Sequence, residues 1–157
     1  FKMRRDVRSA CHFHPPYVGA LACAGQTIQM VTRDSLLFRD GVPVYEQFPL
    51  YIGTKEYGEA AAKALGNRKA LIHRGHGAFT VGRTIEEALV TALTLERAAR
   101  IQWMASQVGK PILLPKEEMN RSRSHESLSA ESAIDDFNQL AKKLEKIEKW
   151  RMVPPPW

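Results

Sequence analysis

The sequence predicts an α/β protein with a mixed or antiparallel sheet. Short apolar segments of strand length alternate along the chain with segments of helical character. Gly25, Gly66 and Gly109 stand where three of the helical segments end. The 157 residues, 44% hydrophobic and 25% charged, suit one domain with a sizeable core.

Apolar or β-branched runs beside turn residues predict the strands. The candidates cover residues 7–14, 27–31, 36–38, 42–45, 69–74 and 78–81. A turn at Asp40-Gly41 separates the third candidate from the fourth. Strands and helices therefore alternate in short units, which is the basis for predicting a mixed or antiparallel sheet.

Start and stop residues predict the first three helices. Pro15 and Pro16 suit the first turn of a helix over residues 17–24, and Thr54 is a candidate N-cap for a helix that ends before Gly66. Thr84 and Glu87 have capping-box spacing and open a long helix that Gly109 ends. Its apolar face is predicted to carry Ile85, Ala88, Leu89, Ala92, Ala99 and Trp103.

The last third of the chain changes in character. We divide the sequence into a main domain over 1–115, a polar linker over 116–132, and a C-terminal helix and tail over 133–157. Apolar residues spaced by three and four predict an amphipathic helix over 133–150, packed on its own domain or on a neighbouring subunit. They are Ile134, Phe137, Leu140, Leu144 and Ile147.

Charge and composition exclude several function classes. The formal net charge is +6, but acidic residues alternate with the basic ones of the C-terminal third, so no nucleic-acid partner is expected. No apolar run reaches the roughly 18 residues of a membrane span, and no signal peptide opens the sequence. Cys11 and Cys23 follow no CxxC spacing, and we interpret them as reduced core residues of a cytoplasmic protein.

Histidines form the candidate site. His12 and His14 stand two apart on a predicted strand, so their imidazoles share a face and can chelate one ion. His76 lies between Gly75 and Gly77, which let the backbone bend and present a ligand. Alternation places His73 on the opposite face, as a core residue or a neighbour of the ligands, and His125 falls in the polar linker.

Five short motifs follow one another along the sequence. They are Arg5-Asp6-Val7, His12-Phe13-His14, Gly53-Thr54-Lys55-Glu56, Ala64-Leu65-Gly66 and His76-Gly77, with 62 positions from His14 to His76. Over residues 4–114 the chain resembles the class II aldolase/adducin family. The resemblance implies a three-layer α/β/α fold, a homotetramer, and a divalent metal held by His12, His14 and His76. Zinc is the metal implied, with iron, manganese or cobalt as alternatives.

Three imidazoles that leave a coordination position open are typical of a catalytic metal site. A cation there can stabilise the enolate or enediolate formed when a carbon–carbon bond breaks. The resemblance therefore implies a lyase, an aldolase or a decarboxylase, acting on a small hydroxy acid, keto acid or sugar phosphate. The run Arg74-Gly75-His76-Gly77 looks like the decarboxylase branch, and alternation directs Arg74 toward the metal, where it could hold a substrate carboxylate.

Two departures from the family leave alternatives open. The sequence begins eleven residues before His12, so we expect it to be truncated at its N-terminus. The glycine-rich phosphate-binding segment and the glutamate that family aldolases carry there would lie upstream. The alternatives are a non-catalytic, adducin-like assembly module and an Fe(II)-dependent oxygenase on the same fold.

Overall fold

A computed structural model describes residues 1–46, 53–121 and 130–151. Its four strands are β1 (Ser9–Phe13), β2 (Val44–Tyr45), β3 (Ala70–His73) and β4 (Gly77–Gly82). The sheet order is β1-β4-β3-β2. Strand β4 pairs antiparallel with both β1 and β3, whereas β2 pairs parallel with β3. The predicted α/β class with a mixed sheet is therefore confirmed.

Five α-helices flank this sheet within the described ranges. They are α1 (Pro16–Cys23), α2 (Lys55–Leu65), α3 (Ile85–Val108), α4 (Lys116–Arg121) and α5 (Ala130–Arg151). Both predicted caps are present: the Thr54 hydroxyl accepts from the Tyr57 amide, and the Thr84 hydroxyl accepts from the Glu87 amide. Pro16 lies in the first turn of α1, as predicted. Helix α4 occupies the start of the predicted polar linker, whose residues 122–129, with His125, lie outside the described part of the chain.

Helices cover both faces of the sheet, which forms the middle of three layers. On one face, residues of α1 and α3 pack with the strands around Val18, Leu95 and Ile72, which are fully buried. On the other face, Leu65 at the end of α2 packs on Leu71. The larger of the two hydrophobic clusters lies on the α1 and α3 side, so α3 is the main helix packed against the sheet.

Two predicted strands are wrong. Residues 27–31 form no strand, because the buried amide of Gln102 replaces a strand partner: its oxygen accepts from the Gln29 amide at 2.8 Å and its nitrogen donates to the Thr27 carbonyl at 3.0 Å. Residues 36–38 belong to a 3₁₀ helix, Asp34–Phe38. At the start of that helix the Thr32 hydroxyl accepts from the Ser35 amide, and the Ser35 hydroxyl accepts from the Thr32 amide.

Four predicted burials also need correction. On α3, Ile85 is 71% exposed and Trp103 is 39% exposed. At the later position the buried residue is Gln102, so the neighbouring Trp103 lies at the surface against the Tyr17 ring. Cys23 is exposed at the outer side of the last turn of α1, and Cys11 is half-buried, so neither is a core residue.

Helix α5 packs on α3 along part of its apolar stripe. Ala133 is fully buried and the stripe residues Phe137 and Leu140 are half-buried, whereas Ile134, Leu144 and Ile147 stay exposed. The helix that the periodicity predicted is thus present, and one portion of its stripe lies on its own domain.

Candidate metal centre

The structure brings His12, His14 and His76 together at one end of the sheet. His12 lies in β1, His14 stands one residue beyond its end, and His76 lies in the turn that joins β3 to β4. Pairing of β1 with β4 closes the gap between these distant parts of the chain. One ring nitrogen from each histidine lies within 4.8 Å of the others.

The spacing of the rings fits a small cation. The Nε2 atoms of His12 and His14 are 3.2 Å apart, and the three ring centroids are separated by 5.0 to 5.3 Å. Zinc–imidazole bonds of about 2.0–2.1 Å at a tetrahedral angle put two nitrogens roughly 3.3–3.4 Å apart. Two unprotonated nitrogens this close repel each other unless a cation or a proton lies between them, so the donor set suits a metal.

The protein fixes the tautomer of His12. Its Nδ1 lies 3.1 Å from the carbonyl oxygen of Ala78. A carbonyl only accepts, so Nδ1 carries the proton and Nε2 keeps its lone pair for a metal. The ring stacks on Phe79 at 4.3 Å between centroids. Burial lowers the pKa of His12, which favours the neutral form that a metal requires.

Gly75 and Gly77 shape the turn for different reasons. Gly75 has a φ of 70°, a left-handed conformation that residues with a side chain rarely adopt. Gly77 has no room for a side chain, since an added Cβ would lie 2.6 Å from the Phe13 carbonyl oxygen and 2.7 Å from Cδ2 of His14. The missing side chain at Gly77 lets β4 approach His12 and His14 closely.

His73 lies apart from the three grouped nitrogens. It is buried at the end of β3, where the Tyr57 hydroxyl is within hydrogen-bonding distance of its Nδ1 and the Phe79 ring contacts its edge. Burial, followed by the nearby charges of His76 and His12, lowers the pKa of His73 to about 4. Burial also raises the pKa of Tyr57 to about 12, so this pair is a neutral imidazole beside a protonated phenol at pH 7.

The alternation that was expected to direct Arg74 toward the metal stops at His73, where β3 ends. Arg74 therefore belongs to the turn, and its Nη2 donates to Glu46 at 2.9 Å. Its buried Nε has no hydrogen-bond partner among the described residues. Arg74 is thus a half-buried cation in the same turn as His76, and its guanidinium has N–H donors that the bond to Glu46 does not use.

The sequence did not single out Tyr57 or Glu96. Tyr57 reaches His73 from α2, and Glu96 reaches the backbone that follows His14 from α3. Neither residue belongs to a local motif. For Glu96 one indication existed: the proline pair before α1 supplies no capping side chain, which leaves the first amides of that helix in need of an acceptor.

Known proteins match both the sequence and the fold. The sequence-family model described as the class II aldolase and adducin N-terminal domain matches residues 1–103. A 5-methylthioribulose-1-phosphate/5-deoxyribulose-1-phosphate aldolase of Rhodospirillum rubrum is 31% identical, over 75% of this chain and 53% of its own length. A 3,4-dihydroxyphthalate decarboxylase of Rhodococcus jostii is also 31% identical, over 66% of this chain and 44% of its own length.

This chain therefore spans about half the length of these curated relatives. A solved L-fuculose 1-phosphate aldolase superposes with a TM-score of 0.71 at 28% identity, covering 81% of this chain and 59% of the aldolase. The fold, the family model and the relatives agree with the resemblance in the motifs. The chain belongs to the class II aldolase and adducin family.

Proposed function

We propose that this chain is the metal-binding part of a metal-dependent carbon–carbon lyase. The supporting observation is the convergence of three imidazole nitrogens, one of them held in the ligand tautomer by a backbone carbonyl. The relatives whose names state an aldolase or a decarboxylase activity support a lyase over an assembly module. Zinc is the proposed metal, since three imidazoles and an open position are its usual catalytic set.

Each residue of the site has a separate task in this proposal. A divalent cation, when bound, would act as a Lewis acid that stabilises negative charge on a substrate oxygen. His12, His14 and His76 would hold that cation as neutral ligands. Arg74 would bind the substrate through a carboxylate, because its guanidinium lies in the same turn as His76 and has N–H donors that Glu46 does not occupy.

This arrangement favours a hydroxy or keto acid as the substrate. A guanidinium and a carboxylate form a strong, directional pair, and the Glu46 carboxylate already occupies part of Arg74. An incoming substrate acid would use the remaining donors or replace Glu46. Loss of carbon dioxide from that acid is the reaction proposed first, and cleavage of a sugar phosphate is the alternative within the same family.

Replacing Arg74 with lysine is expected to lower kcat/KM by roughly ten-fold or more, about 1.4 kcal/mol, because lysine cannot reproduce the guanidinium fork. Metal content should not change, since Arg74 is not one of the three grouped ligands. Steady-state kinetics of the decarboxylation and elemental analysis of the same samples measure both effects. A ten-fold loss with intact metal would support the role of Arg74, and unchanged kinetics would refute it.

The reaction itself is tested by two substrate panels. Hydroxybenzoic and 3-keto acids are screened for carbon dioxide release, and sugar phosphates for aldehyde release, with oxygen uptake followed in parallel. The panels use this chain and a version extended by any coding sequence that precedes Phe1. Turnover of sugar phosphates alone would favour the aldolase branch, oxygen consumption would favour an oxygenase, and a metal-loaded protein without turnover would favour an assembly module.

We also propose a homo-oligomer, with a tetramer as the expected state. The support is the family resemblance together with a row of exposed apolar side chains near the end of α3. They are Ile101, Met104 and Val108. Exposed apolar surface of this kind is common at subunit contacts. Light scattering at micromolar concentration should report about four times the mass of one chain, and a monomer would contradict the proposal.

A cytoplasmic location is part of the same proposal. It rests on the soluble-protein composition and on the small molecules that the named relatives act on. Among the described residues, no helix combines the length and the apolar character needed to cross a membrane.

A further inference from the structure

Helix α1 begins directly after His14 and lacks the usual cap. Pro15 occupies the N-cap position and its side chain makes no capping hydrogen bond, and Pro16 is the first helical residue. Proline has no amide hydrogen, so the first two donors of this helix are the amides of Tyr17 and Val18. These donors lie within four residues of His14.

Glu96 satisfies both donors from the middle of α3. Its Oε1 accepts from the Tyr17 amide at 3.0 Å and its Oε2 accepts from the Val18 amide at 3.1 Å. The carboxylate also places a negative charge at the positive end of the α1 dipole. Glu96 thus replaces the missing cap, although it lies 79 residues from Tyr17 along the chain.

Other contacts fix the same turn to α3. The Tyr17 ring lies 5.5 Å from the Trp103 ring between centroids, and the Arg100 guanidinium lies 5.7 Å from the centre of the Tyr17 ring. The Val18 side chain is fully buried in the core. Glu96, Arg100 and Trp103 all belong to α3, so one long helix holds the first turn of α1.

His14 depends on this turn more than His12 does. His12 lies within β1, pairs with Phe79 across the sheet and donates to the Ala78 carbonyl. His14 lies beyond the end of β1 and is exposed, and its ring contacts are with the other two histidines. Only Pro15 and Pro16 separate His14 from Tyr17, and their fixed φ angles make a stiff link.

We infer that Glu96 is a positioning residue for the metal ligand His14. By holding the amides of Tyr17 and Val18, it sets the direction in which the chain leaves His14 and so the place of the imidazole beside His12. This inference rests on the proposed metal site. Helix α3 supplies none of the three grouped histidines, but through Glu96 it would help to position one of them, His14.

The test compares Glu96→Ala with Glu96→Gln and a matched control, Thr84→Ala. Thr84 caps α3 through the Glu87 amide, so its loss removes a cap elsewhere at a similar cost, about 0.5–2 kcal/mol of folding stability. Zinc affinity is measured by competition with a chelating dye. Cobalt(II) absorption reports the ligand geometry, and imidazole ¹H–¹⁵N spectra of the metal-free protein report each histidine separately.

Glu96→Ala is expected to weaken zinc binding by roughly ten-fold or more, as the loss of groups that orient a ligand commonly does. Its cobalt spectrum should change, and in the metal-free protein the His14 signals should shift or broaden while those of His73 stay in place. Glu96→Gln keeps one acceptor oxygen and should show a smaller loss of affinity. Thr84→Ala should lose stability without these changes.

Equal losses of affinity in Glu96→Ala and Thr84→Ala would overturn the inference, because a general loss of stability would then explain both. Unchanged His14 signals in Glu96→Ala would overturn it as well. A wild-type chain that binds no zinc would refute the proposed function. In that case the metal-free spectra alone decide whether Glu96 positions His14.

Discussion

His76→Ala is expected to reduce the bound divalent metal from about one ion per chain to almost none. Its imidazole is the ligand that comes from the β3–β4 turn, and the other two come from β1 and the residue after Phe13. With only the two remaining imidazoles as protein ligands, we expect the cation to be lost when the protein is desalted. Elemental analysis of the purified wild-type and variant proteins measures the change.

His73→Ala is the matched control for that loss. His73 lies three residues before His76, but it is within hydrogen-bonding distance of the Tyr57 hydroxyl and is not one of the three grouped ligands. We expect it to keep its metal. Its folding stability should fall by about 1–3 kcal/mol, since the Tyr57 hydroxyl loses a buried partner. Full metal content in His76→Ala, or a metal-free wild type, would contradict the three-histidine site.

Local periodicity was enough to predict most elements and the pairing of two of the three grouped histidines. Strand alternation predicted that His12 and His14 share a face, and their Nε2 atoms do lie 3.2 Å apart, although His14 stands one residue beyond the end of β1. The caps at Thr54 and Thr84 were predictable for the same reason, because donor and acceptor lie within one turn. Such features depend on neighbours in sequence.

Contacts between distant segments could not be predicted in this way. The pairing of β1 with β4 brings His76 to His12, but only the resemblance to the family indicated that these histidines meet. The Gln102 amide that replaces a strand beside Thr27 and Gln29 is a side chain of a distant helix. Strand propensity depends only on the residues of the segment itself. Here the tertiary contact with Gln102 decided the structure of residues 27–31 instead.

Arg74 shows where an argument from alternation ends. The rule holds inside a strand, and β3 ends at His73. Beyond that point the left-handed Gly75 sets the direction of the chain, and the ion pair with Glu46 sets that of the side chain. The expectation that Arg74 serves the site therefore rests on its place in the His76 turn and on its unpartnered Nε, and kinetics must test it.

Gly77→Ala is expected to disrupt the metal centre although the substitution adds only one carbon. The new Cβ would lie 2.6 Å from the Phe13 carbonyl oxygen, 2.7 Å from Cδ2 of His14 and 3.3 Å from Cε1 of His12. The first contact is with backbone, which cannot move without separating β4 from β1. The second can be relieved by rotating His14 away from the metal position.

Both adjustments displace metal ligands, so we expect zinc affinity to fall by roughly a hundred-fold and folding stability to fall by about 1–3 kcal/mol. Dye competition and thermal unfolding measure the two quantities. Gly58→Ala is the control, because Gly58 lies exposed in α2 with no atom near the added Cβ, and alanine there should stabilise the helix by up to about 1 kcal/mol. A Gly77→Ala protein with wild-type zinc affinity would contradict this prediction. It would show that β4 can move away from β1 without displacing the histidines, so that the close contact at Gly77 has no part in holding the metal.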